Sequence, residues 1–338
     1  MALSADQLNE AMAVANRLIR DEIPNQFSKA SYFMHLMTKK PNLEYGSGGT
    51  QIQIPVQIAE NSSRGWFDGG FGAIDTNANQ QISFGEFDWK YYYSNVSFTM
   101  SDFAKTDNTP LAIKSLITAK IEGAKQSANR DISSSLHSDG SATGSVTGLG
   151  AVFAASGTAY AGITNTDLDD SSTWLTEIDT TTNTINYANL NTLFMTLVGR
   201  GQTQGNEIGG FQPDLLISNA FVLNKFLSSQ QSQQQFATES SLKAGFRGAT
   251  FNGTFWAIDS FSPGSADGAT ADNYLYVMAS PTFKLIYKYG FEGRSAAAFD
   301  QSQMRLPSQA VVANQNYMVF NLACTARRNN GVFKALTA

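Results

Sequence analysis

Two histidines, His35 and His137, and one cysteine, Cys324, are all the imidazole and thiol chemistry in 338 residues. A lone cysteine makes neither an intrachain disulfide nor a Cys-based metal site. Two histidines argue against a zinc or copper centre and against a histidine-based triad. No G-x-S-x-G elbow, P-loop, H-E-x-x-H or C-x-x-C occurs. Gly148-Leu149-Gly150 opens like a dinucleotide fingerprint, but Phe153 stands where the third glycine belongs and no strand pattern precedes it.

Asp75 to Glu86 fits a calcium loop at positions 1, 3, 5, 8 and 12, with Glu86 as the bidentate ligand. Gln80 replaces the glycine that the sharp turn needs, and the flanks read as a Gly-rich loop and a strand, not two helices. The segment is therefore read as a polar loop entering a strand. Asp169-Asp170 lies in a Ser/Thr-rich stretch and reads as a solvated turn, not as two carboxylates across a cleft. His35, among Phe33, Met34, Leu36 and Met37, reads as a packed interface residue. His137 closes a helix, where an imidazole suits the dipole. Cys324 alternates within an apolar strand as a small buried hydrophobe. The glycosylation triplets at Asn61, Asn95 and Asn252 have no secretory signal to give them use. The expectation is no catalytic residue, no cofactor and no metal.

Composition points the same way. Only 15% of residues are charged, against about 25% in ordinary soluble chains. The net charge of -5 excludes a strongly basic nucleic-acid binder. Cores of protein–protein contacts are depleted in Lys, Glu and Asp, so the charge deficit itself suggests interfaces. No run approaches ~20 apolar residues, so no membrane-spanning helix is expected. The chain is expected to be made in a reducing cytosol and to stay there or leave by lysis.

The elements that would position these residues follow from periodicity. Ser4-x-x-Gln7 reads as a capping box, and Leu8, Met12, Ala15 and Ile19 form the stripe of a helix from about Ser4 to Glu22. Phe27, Phe33, Met34 and Met37 form a second apolar patch. Ile52, Ile54, Val56 and Ile58 alternate with polar residues, the period of a half-buried strand, and Pro55 makes it an edge strand. A glycine-rich tip carries Trp66, Phe67 and Phe71. An aromatic strand region then runs from Ile82 through Trp89 and Tyr91 to Phe98. Together these make an extended hairpin, which is marginal alone in water. Pro110 starts a helix with Ile113, Ile117, Ile121, Ala128, Ile132 and Leu136 on one face, ending near Ser138-Asp139-Gly140.

From Asp131 to Gly199 there is no Lys or Arg, a composition shift that marks a boundary near Gly140 to Gly150. Helices over Tyr187–Val198 and Ala220–Ser229, a strand at Pro213–Ser218 and an Asn252-Gly253 hairpin then suggest a compact α+β unit. Strands at Tyr274–Ala279, Phe283–Tyr289 and Val311–Arg327 are expected to form a sheet against the long helix. An arm and a hairpin that cannot bury their own apolar faces call for neighbours. The expected assembly contacts are Leu8, Met12, Ile19, Phe33 and Met37 of the arm, and Trp66, Phe67, Phe71, Trp89 and Tyr91 of the hairpin.

This order of elements resembles the major capsid protein of tailed bacteriophages, the Hong Kong 97 type, over essentially the whole chain. Phe87-Asp88-Trp89-Lys90-Tyr91-Tyr92 looks like the aromatic run on the returning strand of that family's E-loop. Gly148-Leu149, followed by Tyr160-Ala161-Gly162-Ile163-Thr164 and Trp174, looks like the entry to its A-domain. Phe251-Asn252-Gly253 and the ending from Ala326-Arg327-Arg328 to Leu336 are similar too. The resemblance implies an α+β fold with an N-terminal arm over 1–46 and an E-loop over 47–100. It implies a P-domain of spine helix and sheet over 101–144 and 269–338, with the A-domain inserted over 145–268. It also implies self-assembly as hexamers and pentamers into an icosahedral or prolate shell, without enzymatic activity. That shell would enclose phage double-stranded DNA without sequence-specific binding. Portal, scaffolding and decoration proteins would be partners in a virion assembled in the bacterial cytoplasm. The alternative from another class is a β-rich adhesin or carbohydrate-binding protein, which leaves the arm helix unexplained.

Overall fold

The computed structural model describes residues 31–46, 49–67, 70, 74–77, 80–99, 110–168, 174–201, 211–231, 248–264, 273–289, 300–305 and 311–337. The helix expected over 4–22, with Leu8, Met12 and Ile19, lies outside these residues, as do Phe71 and Asp169-Asp170. The described chain opens with α1 (Tyr32–Met37), β1 (Leu43–Tyr45), β2 (Gln51–Gln57), β3 (Ile82–Asp88) and β4 (Lys90–Thr99). There follow α2 (Pro110–His137), α3 (Leu149–Val152), β5 (Glu177–Asp179), α4 (Tyr187–Gly201), β6 (Leu215–Ser218) and α5 (Ala220–Gln231). It closes with β7 (Gly248–Phe251), β8 (Thr254–Ile258), β9 (Asn273–Met278), β10 (Phe283–Tyr289), β11 (Asp300–Arg305), β12 (Val311–Cys324) and β13 (Gly331–Leu336).

β2 and β3 form an antiparallel ribbon, with Gln51 opposite Asp88 and Gln57 opposite Ile82. Both strands are edges, so Pro55, opposite Phe84, interrupts no interior ladder. The aromatic strand expected over 82–98 divides at Trp89. Its first half belongs to the ribbon and its second half, β4, pairs with β12 from Thr99 opposite Val311 to Lys90 opposite Phe320.

β12 is the axis of a five-stranded sheet in which β10, β11 and β4 all pair with it and β1 lies parallel to β10. The other large sheet has the order β5-β13-β9-β6-β8-β7. The segment at 273–278 was expected beside β10 against the long helix. Instead β9 sits between β13 and β6, with five of its six residues buried. Alternation identifies a strand without naming its sheet, and a strand buried on both faces needs the middle of a layered sheet.

The long helix starts at Pro110 and runs 28 residues, roughly 40 Å. Ala128, Ile132 and Leu136 line its buried face. Gly140 takes the left-handed conformation just beyond its end, φ 75°. The hairpin expected at Asn252-Gly253 is present, with φ of 46° and 81°, the two positive values of a type I′ turn. α5 is capped by Asn219, whose Oδ1 accepts from the Val222 amide at 3.0 Å. α4 continues through Gly199, expected as its stop, to Gly201.

One apolar core joins Phe33 and Met37 of α1, Leu136 of α2, Phe153, Phe283 and Phe320 between the sheets. The other packs Leu190 and Leu197 of α4 and Phe226 of α5 on Leu216, Trp256 and Val277 of the six-stranded sheet. Among the described residues no helix is long and apolar enough to cross a membrane.

Candidate assembly surface

The ribbon has a seat on its own subunit. Ala161 and Gly162 both have positive φ, 56° and 75°, closing a two-residue turn in which Tyr160 and Ile163 exchange both backbone hydrogen bonds. That turn offers the Ala161 carbonyl to the Glu86 amide of β3 at 2.9 Å. Gly85 lies so close that a Cβ there would stand 3.1 Å from the Ala161 methyl. The Phe87 ring meets Tyr160 edge-on at 5.3 Å, and Ile52, Val56 and Phe87 are buried. Asn321 of β12 ties the ribbon's end to the same body. Its Nδ2 donates to the Asp88 carbonyl at 2.9 Å, and its Oδ1 accepts from the Thr147 amide at 3.0 Å.

Trp89 is the bend between ribbon and sheet. Its indole Nε1 donates to the Gly49 carbonyl at 3.1 Å, and its ring edge would lie 2.6 Å from a Cβ at Gly46. A side chain at Gly46 would therefore collide with the tryptophan ring. Trp89 is 8% exposed, and Phe33 and Met37 are fully buried. These three were expected as contacts between subunits and are instead core residues of one subunit. Aromatic and methionine content marks an apolar face without saying whether the same chain covers it.

Beyond the seat the ribbon changes character. Its outward face is polar near the body, where Gln51 donates to Asp88 and Gln53 donates to Glu86, each at 3.1 Å. Farther out the exposed side chains are apolar: Phe84 and Ile82 on β3, Ile74, Phe67 and Trp66, the last fully exposed. A second apolar patch lies on the five-stranded sheet. Tyr93 stands opposite Tyr317 and Tyr91 opposite Val319, and both β4 tyrosines are 73% exposed. The intervening Tyr92 points the other way, donating from its hydroxyl to Asp131 of α2 at 3.1 Å. Burial, then the Asp131 charge and hydrogen bond, push its phenol up to about 12. Of the expected contacts, then, Trp66, Phe67 and Tyr91 are exposed on two separate patches.

The entry to the six-stranded layer is built on close backbone approach. A Cβ at Gly148 would come within 2.6 Å of the carbonyl oxygens of Leu136, Ser135 and Ser138, at the end of α2. A Cβ at Gly150 would come within 2.8 Å of the Asp139 backbone. The glycines that mimic a dinucleotide fingerprint therefore let α3 abut the long helix.

Chemistry is sparse among the described residues. Glu86 of the calcium-loop pattern is engaged across the ribbon with Gln53, and the Asp75 carboxylate accepts from the Asn77 amide. No cluster of three or more metal-ligating side chains occurs among the described residues. Ser31, His137 and Asp259 do converge, but Ser31 Oγ donates to Asp259 at 2.7 Å and not to the imidazole, and Asp259 is fully buried. A nucleophile must face its base and a substrate, so this group is structural. Cys324 is buried, and burial pushes its thiol up to about 11, the opposite of an activated nucleophile.

No protein-family model and no curated protein matches the sequence. Solved structures do match in fold. The capsid asymmetric unit of cyanophage A-1(L) aligns over 94% of this chain and 96% of that one, at 14% identity and a TM-score of 0.67. The capsid of the native GTA particle aligns over 99% of this chain and 100% of that one, at 10% identity and 0.58. The SrpI encapsulin of Synechococcus elongatus PCC 7942 aligns over 100% of this chain and 97% of that one, at 12% identity and 0.57. The chain has the α+β Hong Kong 97-type capsid fold, the architecture the order of elements implied.

Proposed function

We propose that this chain is the major capsid protein of a tailed phage, assembling as hexamers and pentamers into a closed shell around double-stranded DNA. It acts as a structural protein and not as an enzyme. The observation that carries this reading is Trp66, fully exposed at the far end of a ribbon whose base is bolted to its own subunit. A tryptophan held out into water by a seated support is a ready half of a contact, since burying such a ring against a neighbour stabilises by about 2–3 kcal/mol. The open tyrosines on β4 supply a second, different patch. Two unlike patches on one subunit make heterologous contacts, which close into rings and then shells.

The ribbon, on this reading, drapes over an adjacent subunit, and neighbours bury ~1,500 Å² or more per contact. A net charge of -5 suits a container that does not hold DNA by counterion release. The chain's own division would follow the arm, E-loop, P-domain and A-domain, with β9 and β13 joining the A-domain's sheet. Portal, scaffolding and decoration proteins would be further partners. The test is deletion of residues 60–80. The deletion is expected to leave soluble, folded protein that forms no closed shells in electron micrographs; normal particles would refute the reading. The encapsulin match supports a second reading, a shell that encloses no genome. Nuclease-protected DNA inside purified particles would decide for the phage capsid, and particles lacking it for the alternative.

A further inference from the structure

What β2 offers along its free side follows from the direction of its backbone bonds. Just past β2, the Ile58 amide donates across the ribbon to the Gln81 carbonyl at 2.9 Å. On β3 the Glu86 amide points the other way, out of the ribbon to Ala161. In an antiparallel pair a residue turns its N–H and C=O to the same side, and successive residues alternate. Ile52, Ile54 and Val56 therefore bond across to β3, while Gln51, Gln53, Pro55 and Gln57 turn their backbone groups away from it. The Ala161 carbonyl covers the outward edge of β3 at Glu86. Among the described residues no strand pairs with the outward edge of β2.

That edge is a template for its own kind. No residue from Gln51 to Ala59 is charged, and Ile52, Ile54, Val56 and Ile58 alternate there with glutamines and Pro55. Uncharged segments of about six residues with high β-propensity and no proline are the ones that stack into cross-β assemblies. Here a proline interrupts the segment, and it does so at an outward position. Pro55 is exposed, lacks the amide that an added strand would use, and sets its ring where that strand's carbonyl would come. The ribbon loses no bond by it, because the missing amide would face away from β3.

We infer that Pro55 keeps a second copy of β2 from adding to this edge. The ribbon is thereby reserved for contacts through its outer face, where Phe84 lies opposite Pro55 and Ile82 opposite Gln57, both exposed. Strand addition works through the main chain and discriminates little between partners, so an open edge would compete with any contact made by side chains. The block belongs to the ribbon itself and holds whatever the chain assembles into.

Pro55→Val restores the outward amide and suits a strand. In the full-length chain, under conditions where the parent stays dispersed, this variant is expected to sediment as aggregates that bind thioflavin T. Its urea midpoint, measured at dilutions where it is still dispersed, should be no lower than the parent's. Exchange protection of the Gln53 and Gln57 amides should rise at least about tenfold on self-association. Adding Gln53→Lys places a charge on the edge and should return the variant to solution. A Pro55→Val chain as dispersed as the parent would overturn the inference. So would aggregation that Gln53→Lys does not relieve, or that accompanies a lowered midpoint, since the cause would then be a damaged fold. None of these results depends on whether the parent builds shells.

Discussion

Arg327 donates from Nε and Nη2 to one carbonyl, that of Val152, at 3.0 and 2.7 Å across 175 residues of chain. Its guanidinium also lies 5.0 Å from the centre of the Tyr160 ring, and no carboxylate among the described residues pairs with it. The cation thus satisfies the open C-terminal carbonyls of α3 and braces the ring on which the ribbon sits. Lys334 adds a further bond in the same place, donating to the Phe153 carbonyl. Burial lowers the pKa of Arg327 from its usual value, yet its fork geometry is what two bonds to one oxygen require. Arg327→Met should leave the Val152 oxygen unpaired and cost about 2–3 kcal/mol in urea unfolding of unassembled subunits. Arg327→Lys should recover only part of that loss.

Gly148 makes a sharper case. A methyl there would meet three backbone oxygens, and backbone at a helix end cannot move aside as a flexible side chain can. Gly148→Ala should cost about 3 kcal/mol, with circular dichroism melts as the measurement. Gly199→Ala is the control. That glycine lies inside α4 with nothing near its missing Cβ, so the substitution should stabilise by up to ~1 kcal/mol.

These two sites show what sequence could and could not convey. Gly148-Leu149-Gly150 was visible as a motif, but only the structure shows the carbonyls that forbid a side chain there. Periodicity located the strands of the ribbon and the long helix, and the Asn-Gly pair located the turn at 252–253, because each of these signals is written in neighbouring residues of the chain. Periodicity misassigned β9 because sheet membership depends on partners such as Leu216 and Val332, which lie opposite Val277 and Tyr276 of that strand and far from them in sequence. It missed β13 and Asp259 for the same reason. Phe33, Met37 and Trp89 were read as contacts between subunits since an apolar face carries no label for who covers it. Trp66 and Tyr91 were visible as aromatics, and their exposure was not.

Alkaline pH should find the weak point around Cys324. The Tyr160 hydroxyl accepts from the Cys324 amide at 2.9 Å, and both side chains are buried. Burial raises the thiol to about 11 and the Tyr160 phenol well above its usual range. Both groups are therefore held neutral in the folded chain while the unfolded chain can ionise. Their contribution is fully present below the unfolded values and is lost as pH climbs toward the folded ones. The urea midpoint should be level from pH 7 to about 8.5 and fall between about pH 9 and 11, the thiol's share being at most about 3 kcal/mol. Cys324→Ala should flatten part of that slope. In the native protein Cys324 should resist maleimide at pH 8 and react promptly in guanidinium.

The exposed aromatics separate folding from assembly. Trp66 and Phe67 touch little of their own subunit, so Trp66→Ser with Phe67→Ser should shift unfolding by less than about 0.5 kcal/mol. Tyr91→Ser with Tyr93→Ser should do somewhat more, since cross-strand pairs on one sheet face contribute roughly 0.2–1 kcal/mol each. In sedimentation both double variants should run as small oligomers under conditions where the parent forms shells. Trp66 fluorescence, taken as the difference between the parent and Trp66→Phe because the chain holds four tryptophans, gives an independent reading. Its emission should be red and readily quenched by acrylamide in dissociated subunits, and blue and shielded once neighbours cover it. Core substitutions such as Met37→Ala behave oppositely, lowering stability by about 2–5 kcal/mol with assembly lost only through unfolding. A Trp66 spectrum unchanged between subunit and particle would place the ribbon's tip outside any contact, and the surface patch on β4 would then have to account for assembly alone.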